Sequence, residues 1–317
     1  AGSDRSVTYD TVAPTLTLAQ AAAQADPTNV SSIAFTLTGN ETIDASSVTA
    51  ADFSVSDGTV TSIVCSGSSC TITVTAATDG IVSIAPSASF SVTDLALNAT
   101  TTAGGSDRSV TVDSTAPSVT VTLGQNAYTQ SKTTFTWVVT FSEPVTGVTS
   151  ADFTVSGTAG GLTFSSVTPA SGPASTYTVV YTGGSGGATK DGTAILTVAT
   201  GAASDAAGNL SLAPTNTANT ITYDVTAPTS LTLAQASTQR DPTSGTIRFT
   251  VTGNEDLSAG SITAGDVVVT NGTVTGATTC VGPVCTITVT ATAEGVVSIA
   301  KSAAWSVNDL AGNAATV

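Results

Sequence analysis

The chain has 317 residues, with 22 Asp and Glu against only 7 Lys and Arg and a formal net charge of −15. So acidic a surface repels nucleic acid and anionic lipid and attracts divalent cations. His and Met are both absent, which removes the commonest general base and the commonest zinc ligand together.

A short pattern, Asp-x-x-Ala-Pro, divides the chain. It runs from Asp10 to Pro14, from Asp113 to Pro117 and from Asp224 to Pro228. Asp113 follows Asp10 by 103 residues, and Asp224 follows Asp113 by 111. Proline fixes its own φ and biases the preceding residue to extended geometry, so each copy reads as a stiff hinge between two strands. The expected units are residues 10–112, 113–223 and 224–317, with 1–9 as the last strand of a preceding or neighbouring domain. Each unit is near the ~100 residues of a seven-stranded sandwich.

Taken in chain order, the first repeat alternates apolar and polar residues over seven short runs. They are 15–19, 32–38, 52–56, 60–65, 70–76, 81–85 and 108–112. The second run points Ile33, Phe35 and Leu37 to one face. Its counterparts carry Phe135, Trp137, Val139 and Phe141 in repeat two, and Ile247, Phe249 and Val251 in repeat three. No segment holds a helical period beyond one turn, and no run of 18 apolar residues exists to cross a membrane. Trp137 and Trp305 fall in strand patterns and are expected in cores. The fold expected is all-β: three tandem immunoglobulin-like β-sandwich domains in an extended rod.

The four cysteines form two local pairs, Cys65 with Cys70 and Cys280 with Cys285, each across a Gly-containing turn between two β-patterned runs. C-x4-C without His is a poor metal site, so two hairpin disulfides in an oxidising, extracellular setting are expected. No signal-peptide pattern opens the sequence, which points to a mature segment or an excised piece. Residues 1–9 nearly repeat 103–112, whereas repeat three stops at Asp309 to Val317, before a matching run. Two readings stand open: one period of a longer array, or strand addition by residues 1–9 to a neighbouring copy.

Side-chain oxygens recur at matching places. Repeat one has Asp10, Glu41, Asp52, Asp94 and Asn98; repeat two has Asp113, Glu143, Asp152, Asp205 and Asn209; repeat three has Asp224, Glu255, Asp266, Asp309 and Asn313. Following the strands back and forth puts all of these at the hinge end of their sandwich. Carboxylates crowded there repel one another unless something positive sits among them, and basic residues are too few. Ca²⁺, which takes six to eight oxygens in flexible geometry, is the expected filler. At the opposite end lie Asp26, Asp79, Asp191, Asp241 and Glu294, in turns that point towards the next hinge.

The residues from Asp113 to Pro117, Phe141 to Val145, Ser150 to Phe153 and Asp205 to Asn209 together resemble the bacterial Ig-like repeats of giant secreted adhesins and other cell-surface proteins. The resemblance implies a sandwich module stiffened by inter-domain Ca²⁺ and serving as stalk or spacer on the bacterial cell surface. Repeats one and three depart from it: Gly39, Asn40 and Glu41, or Gly253, Asn254 and Glu255, replace the Ser-Glu-Pro core, and Leu97 stands where glycine is usual.

Catalysis finds no support here. Ser is plentiful but there is no His to activate it, and the Gly-rich stretch from Gly183 to Gly187 lacks the Lys and helix of a phosphate loop. The function expected is an extracellular structural stalk, spacer or filament, not an enzyme, with neighbouring copies of the repeat as partners. Two alternatives are an adhesive module gripping a glycan or protein ligand, and a self-assembling surface fibre or sheath.

Overall fold

The computed structural model describes residues 5–131, 133–183, 190–215 and 218–315. Most of the Gly-rich stretch named above, Gly184 to Gly187, lies outside them, as do Thr316 and Val317. The described residues are strand and turn, with helical structure limited to single 3-10 turns such as Ala50–Asp52 and Ala264–Asp266.

Repeat one supplies β1 (Leu16–Gln20), β2 (Ser32–Gly39), β3 (Phe53–Ser56), β4 (Gly58–Ser66), β5 (Ser69–Ala76) and β6 (Gly80–Pro86). The short pieces β7 (Val92–Thr93), β8 (Ala99–Thr100) and β9 (Ala103–Gly104) precede β10 (Ser109–Val112). One sheet runs β4-β5-β2-β1-β9 and the other β10-β6-β3, the four-plus-three arrangement of an immunoglobulin-like sandwich with the two-residue β9 added at the edge of the larger sheet. The alternation read from sequence becomes alternation in burial: Ile33, Phe35 and Leu37 of β2 are all fully buried. The strand limits fall within two residues of those expected.

Repeat two supplies β11 (Val119–Leu123), β12 (Tyr128–Thr129), β13 (Phe135–Val145) and β14 (Phe153–Ser156). It continues with β15 (Leu162–Thr168), β16 (Ala174–Gly183), β17 (Gly192–Val198) and β18 (Thr220–Tyr223). Its sheets are β11-β13-β16-β15 and β12-β18-β17-β14. Trp137 is fully buried and donates its indole N–H to the Asn219 carbonyl at 2.7 Å. Burying an indole requires such a partner for its one polar atom.

Repeat three supplies β19 (Leu231–Gln235), β20 (Ile247–Gly253), β21 (Val267–Thr270), β22 (Gly272–Val274), β23 (Thr279–Val281), β24 (Val284–Ala291) and β25 (Ser298–Lys301). Its larger sheet repeats the order seen before, but its second is β21-β25 alone among the described residues. Each repeat thus has its own core cluster. Both disulfides form, Cys65 with Cys70 and Cys280 with Cys285, closing the β4–β5 and β23–β24 hairpins. The alternating run at Ser6 to Tyr9, expected as a strand, is not one: residues 5–15 carry no strand, with Val7 and Tyr9 respectively 94% and 89% exposed. An extended chain becomes a strand only when a neighbour takes its backbone hydrogen bonds.

Candidate metal centre

Each hinge opens with an Asx turn. Asp10 Oδ1 accepts from the Val12 N–H, Asp113 Oδ1 from Thr115 and Asp224 Oδ1 from Thr226, at 2.9–3.0 Å. Such turns hold the short chain before the proline in one conformation. Beyond the proline, the first free N–H also finds a side-chain oxygen. Asn40 Oδ1 accepts from Thr15 at 2.7 Å, Ser142 Oγ from Ser118 at 3.0 Å and Asn254 Oδ1 from Thr229 at 2.9 Å. The departure of repeats one and three from the Ser-Glu-Pro pattern therefore preserves a function: the residue before the Glu ties its loop to the hinge.

The loop from Asp94 to Asn98 is wound around its own carboxylate. Asp94 Oδ1 accepts from the N–H groups of Ala96 and Asn98, and Oδ2 from the Asn98 amide. That same amide donates to the Asp10 carbonyl at 3.3 Å. Asn209 and Asn313 do the same, reaching the Asp113 carbonyl at 2.7 Å and the Asp224 carbonyl at 3.0 Å. The tightest point of this loop has positive φ in all three repeats: Leu97 at 69°, Gly208 at 93° and Gly312 at 95°.

These restraints converge on three carboxylates per hinge. Asp10, Glu41 and Asp94 form one cluster, Asp113, Glu143 and Asp205 the second, Asp224, Glu255 and Asp309 the third; in each, one ligand oxygen per residue lies within 4.8 Å of the others. Asp94, Asp205 and Asp309 are buried. Desolvation, followed by the charges of the two Asp partners, pushes the carboxyls of Glu41 and Glu143 above their usual value. Glu255 is raised in the same way, with Asp191 and Asp256 adding to its repulsion. Burial also acts to raise Asp94, but the hydrogen bonds from Asn98, Ala96 and Leu97 outweigh it and bring it down.

The preceding sandwich reaches into two of the hinges. Asp79, before β6, accepts from the Ser114 N–H and Oγ and from Thr115 Oγ1 at 2.8–3.1 Å. These bonds hold its carboxyl below the usual range. Asp191, before β17, accepts from the Val225 N–H at 2.9 Å and from Thr226 Oγ1. Burial first, then the neighbouring charges of Asp309 and Asp191, lift Asp224. Asp26, by contrast, does not reach the next hinge: its Oδ1 accepts from the Thr111 N–H, bracing β10 of its own sandwich.

Three expected ligands stand elsewhere. Asp52 Oδ2 accepts from the Thr49 N–H and Oγ1, and Oδ1 from the Ser91 N–H. Asp266 is bonded in the same way to Thr263 and Ser306, and Asp152 to Thr149. Each closes a capping box on a single 3-10 turn, so its Oδ2 is occupied by a local N–H and O–H group. Thr-x-x-Asp just before a strand was the signal available in the sequence.

Architecture and repeated hinge define the class: an all-β tandem of immunoglobulin-like sandwiches. Residues 113–225 match the family model described as bacterial Ig-like domain. Among solved structures, the chain is similar to domains 4–9 of the surface layer protein SbsC, at 15% identity and a TM-score of 0.28. That match covers 95% of this chain and 46% of the other, so the chain spans about half the length of that structure. It is similar also to a marsupial T cell receptor, at 11% identity and a TM-score of 0.30, covering 93% of this chain and 97% of the receptor chain. No curated protein matches the chain.

Proposed function

We propose that the chain is a stalk or spacer segment of a bacterial surface, stiffened by Ca²⁺ held at the three hinge clusters. The observation that carries this reading is the recurrence of one buried Asp, one Glu and one hinge Asp within 4.8 Å at the start of every sandwich. Two oxygens bound to one Ca²⁺ at about 2.4 Å each can stand up to ~4.8 Å apart, so the clusters fit a common ion. The donors are all hard oxygens, and every charge acting on the three Glu is negative. In the third cluster Glu255 Oε1 is buried without a hydrogen-bond partner, a costly state for a carboxylate oxygen.

Bound Ca²⁺ would supply the positive charge that the cluster lacks. Asp113, Glu143 and Asp205 would hold it in repeat two, with Asp10, Glu41 and Asp94, or Asp224, Glu255 and Asp309, in the others. The hinge aspartate belongs to the linker and the other two to loops of the following sandwich. Holding all three together removes hinge freedom, and that is the mechanical function: reach and stiffness. Titration calorimetry with Ca²⁺ should give about three sites per chain, and Glu143→Gln should remove one of them. An absence of binding at millimolar Ca²⁺ overturns the reading.

A further inference from the structure

The loops that carry the three hinge Glu are anchored on one side alike and on the other by two different devices. Two residues past each Glu comes a buried one: Ile43 is 3% exposed, Val145 0% and Leu257 2%. The next residue donates its N–H at 2.8 Å to the carbonyl just before the buried aspartate: Asp44 to Thr93, Thr146 to Ser204 and Ser258 to Asn308. That bond ties the Glu loop to the Asp loop in every repeat.

The second anchor, in repeats one and three, is a hairpin tip. The Gly39 N–H donates to the Ser68 carbonyl at 2.7 Å and the Ile43 N–H to that of Gly67 at 3.0 Å. These two bonds bracket Glu41, and both acceptors lie in the turn that the Cys65–Cys70 disulfide closes. Repeat three repeats the arrangement around Glu255. Gly253 donates to the Pro283 carbonyl at 2.8 Å and Leu257 to that of Gly282 at 3.3 Å, in the turn closed by Cys280 and Cys285.

Repeat two has no cysteine, and the strand register shows what takes its place. Leu37, Val139 and Val251 each stand four residues before their Glu. Cys70 pairs with Leu37, Cys285 with Val251 and Tyr177 with Val139. Cys70 and Cys285 are 0% exposed and Tyr177 1%. From the cysteine position, Tyr177 donates its hydroxyl to the Val145 carbonyl at 2.9 Å. It thus holds directly the residue whose counterparts, Ile43 and Leu257, are held by a hairpin tip.

We infer that this one buried position is a positioning element for the cation cluster, as half of a disulfide in repeats one and three and as a tyrosine hydroxyl in repeat two. The inference rests on the Ca²⁺ reading above and says how each Glu is kept in place for it. β4 lies at the edge of its sheet, and β23 is only 3 residues long. Strand ends of this kind open readily. The bridge keeps the hairpin shut, so the tip carbonyls stay where the Glu loop needs them. A loop held before the cation arrives gives up less freedom on binding it.

Two variants of the full chain test this, Cys65→Ala with Cys70→Ala, and Tyr177→Phe. Ca²⁺ is titrated while the backbone N–H signals of Asn98, Asn209 and Asn313 report the three clusters separately. The cysteine variant should bind roughly tenfold more weakly at the first cluster alone, a loss within what a bridge across so short a loop can supply. Tyr177→Phe should move the loss to the second cluster alone. A role in stability only would leave these affinities unchanged as long as the repeats stay folded. In chelator, deuterium exchange at the Ile43 N–H should quicken roughly tenfold in the cysteine variant, with the N–H groups of β2 unchanged. Unchanged Ca²⁺ affinity in either variant overturns the inference. Exchange that quickens throughout β2, or not at all at Ile43, overturns it too. Should the unaltered chain bind no Ca²⁺, the function proposed above falls, and exchange at Ile43 still decides whether the disulfide holds the loop.

Discussion

Repeats one and three share nearly the same loops, the same disulfide and the same hinge, yet among the described residues their second sheets differ by one strand. The consequence is visible at matching positions of the two repeats. Ile84 is 1% exposed, and Ile299, at the same place in the same sequence context, is only half-buried. Phe90 is buried against Phe53, while Trp305 sits partly open with Lys301 over its ring at 5.2 Å. The last strand of such a sandwich is therefore part of the core, since it seals side chains that belong to its neighbours.

The largest expected effect sharpens this comparison directly. Ile84→Ala should cost repeat one about 3 kcal/mol, the usual loss for a fully buried methyl-rich side chain. Ile299→Ala should cost repeat three only about 1 kcal/mol, because a half-buried side chain leaves a smaller cavity. Urea unfolding of the two variants measures both, and equal losses would break the comparison. Replacing Cys65 and Cys70 by Ser should cost about 2 kcal/mol from the short closed loop. Repeat two, which has no bridge, sets the reference in the same unfolding curve.

A smaller effect is expected at Leu97. An L-residue with side chain held at φ 69° is strained, and its counterparts Gly208 and Gly312 are not. Leu97→Gly should stabilise repeat one by roughly 1 kcal/mol, less the entropy that glycine gains in the unfolded chain. Thermal unfolding would show a rise, and a fall would mean that the leucine side chain contributes packing that its exposed position does not suggest.

The pH dependence has a definite sign. Glu41, Glu143 and Glu255 are raised above the usual 4.5 in the folded chain. Their stabilising contribution is complete below that value and is lost as pH rises through the raised folded one. In chelator, the melting temperature should therefore fall as pH rises across this window towards neutral. Asp94 and Asp266 are lowered and act oppositely, but only as pH falls below about 3.8. Millimolar Ca²⁺ should abolish the fall with rising pH, because bound cation favours the ionised Glu.

Much of the fold was legible because a half-buried strand writes its two faces into every second residue. Ile33, Phe35 and Leu37 are an instance. The hinge carboxylates were legible because three copies of one hinge place Asp10, Asp113 and Asp224 at the same step, and the antiparallel path brings the other loops back to them. What was misread is chemistry that leaves no period. Asp52, Asp152 and Asp266 recur as faithfully as the cluster residues, but recurrence does not distinguish a carboxylate facing a shared space from one capping a turn. Asn40, Ser142 and Asn254 perform one task with two residue types, so their equivalence emerged only from the N–H groups they accept. The run at Ser6 to Tyr9 had a strand's pattern, and pattern alone cannot supply the neighbouring strand that would pair with it.

The central claim is that the hinge clusters bind Ca²⁺ and that this binding stiffens the tandem. Small-angle X-ray scattering of the chain in Ca²⁺ and in chelator tests it most directly. The maximum dimension should be larger and better defined in Ca²⁺, and Glu143→Gln with Asp205→Asn should lose part of that difference. Identical scattering curves in Ca²⁺ and in chelator would contradict it.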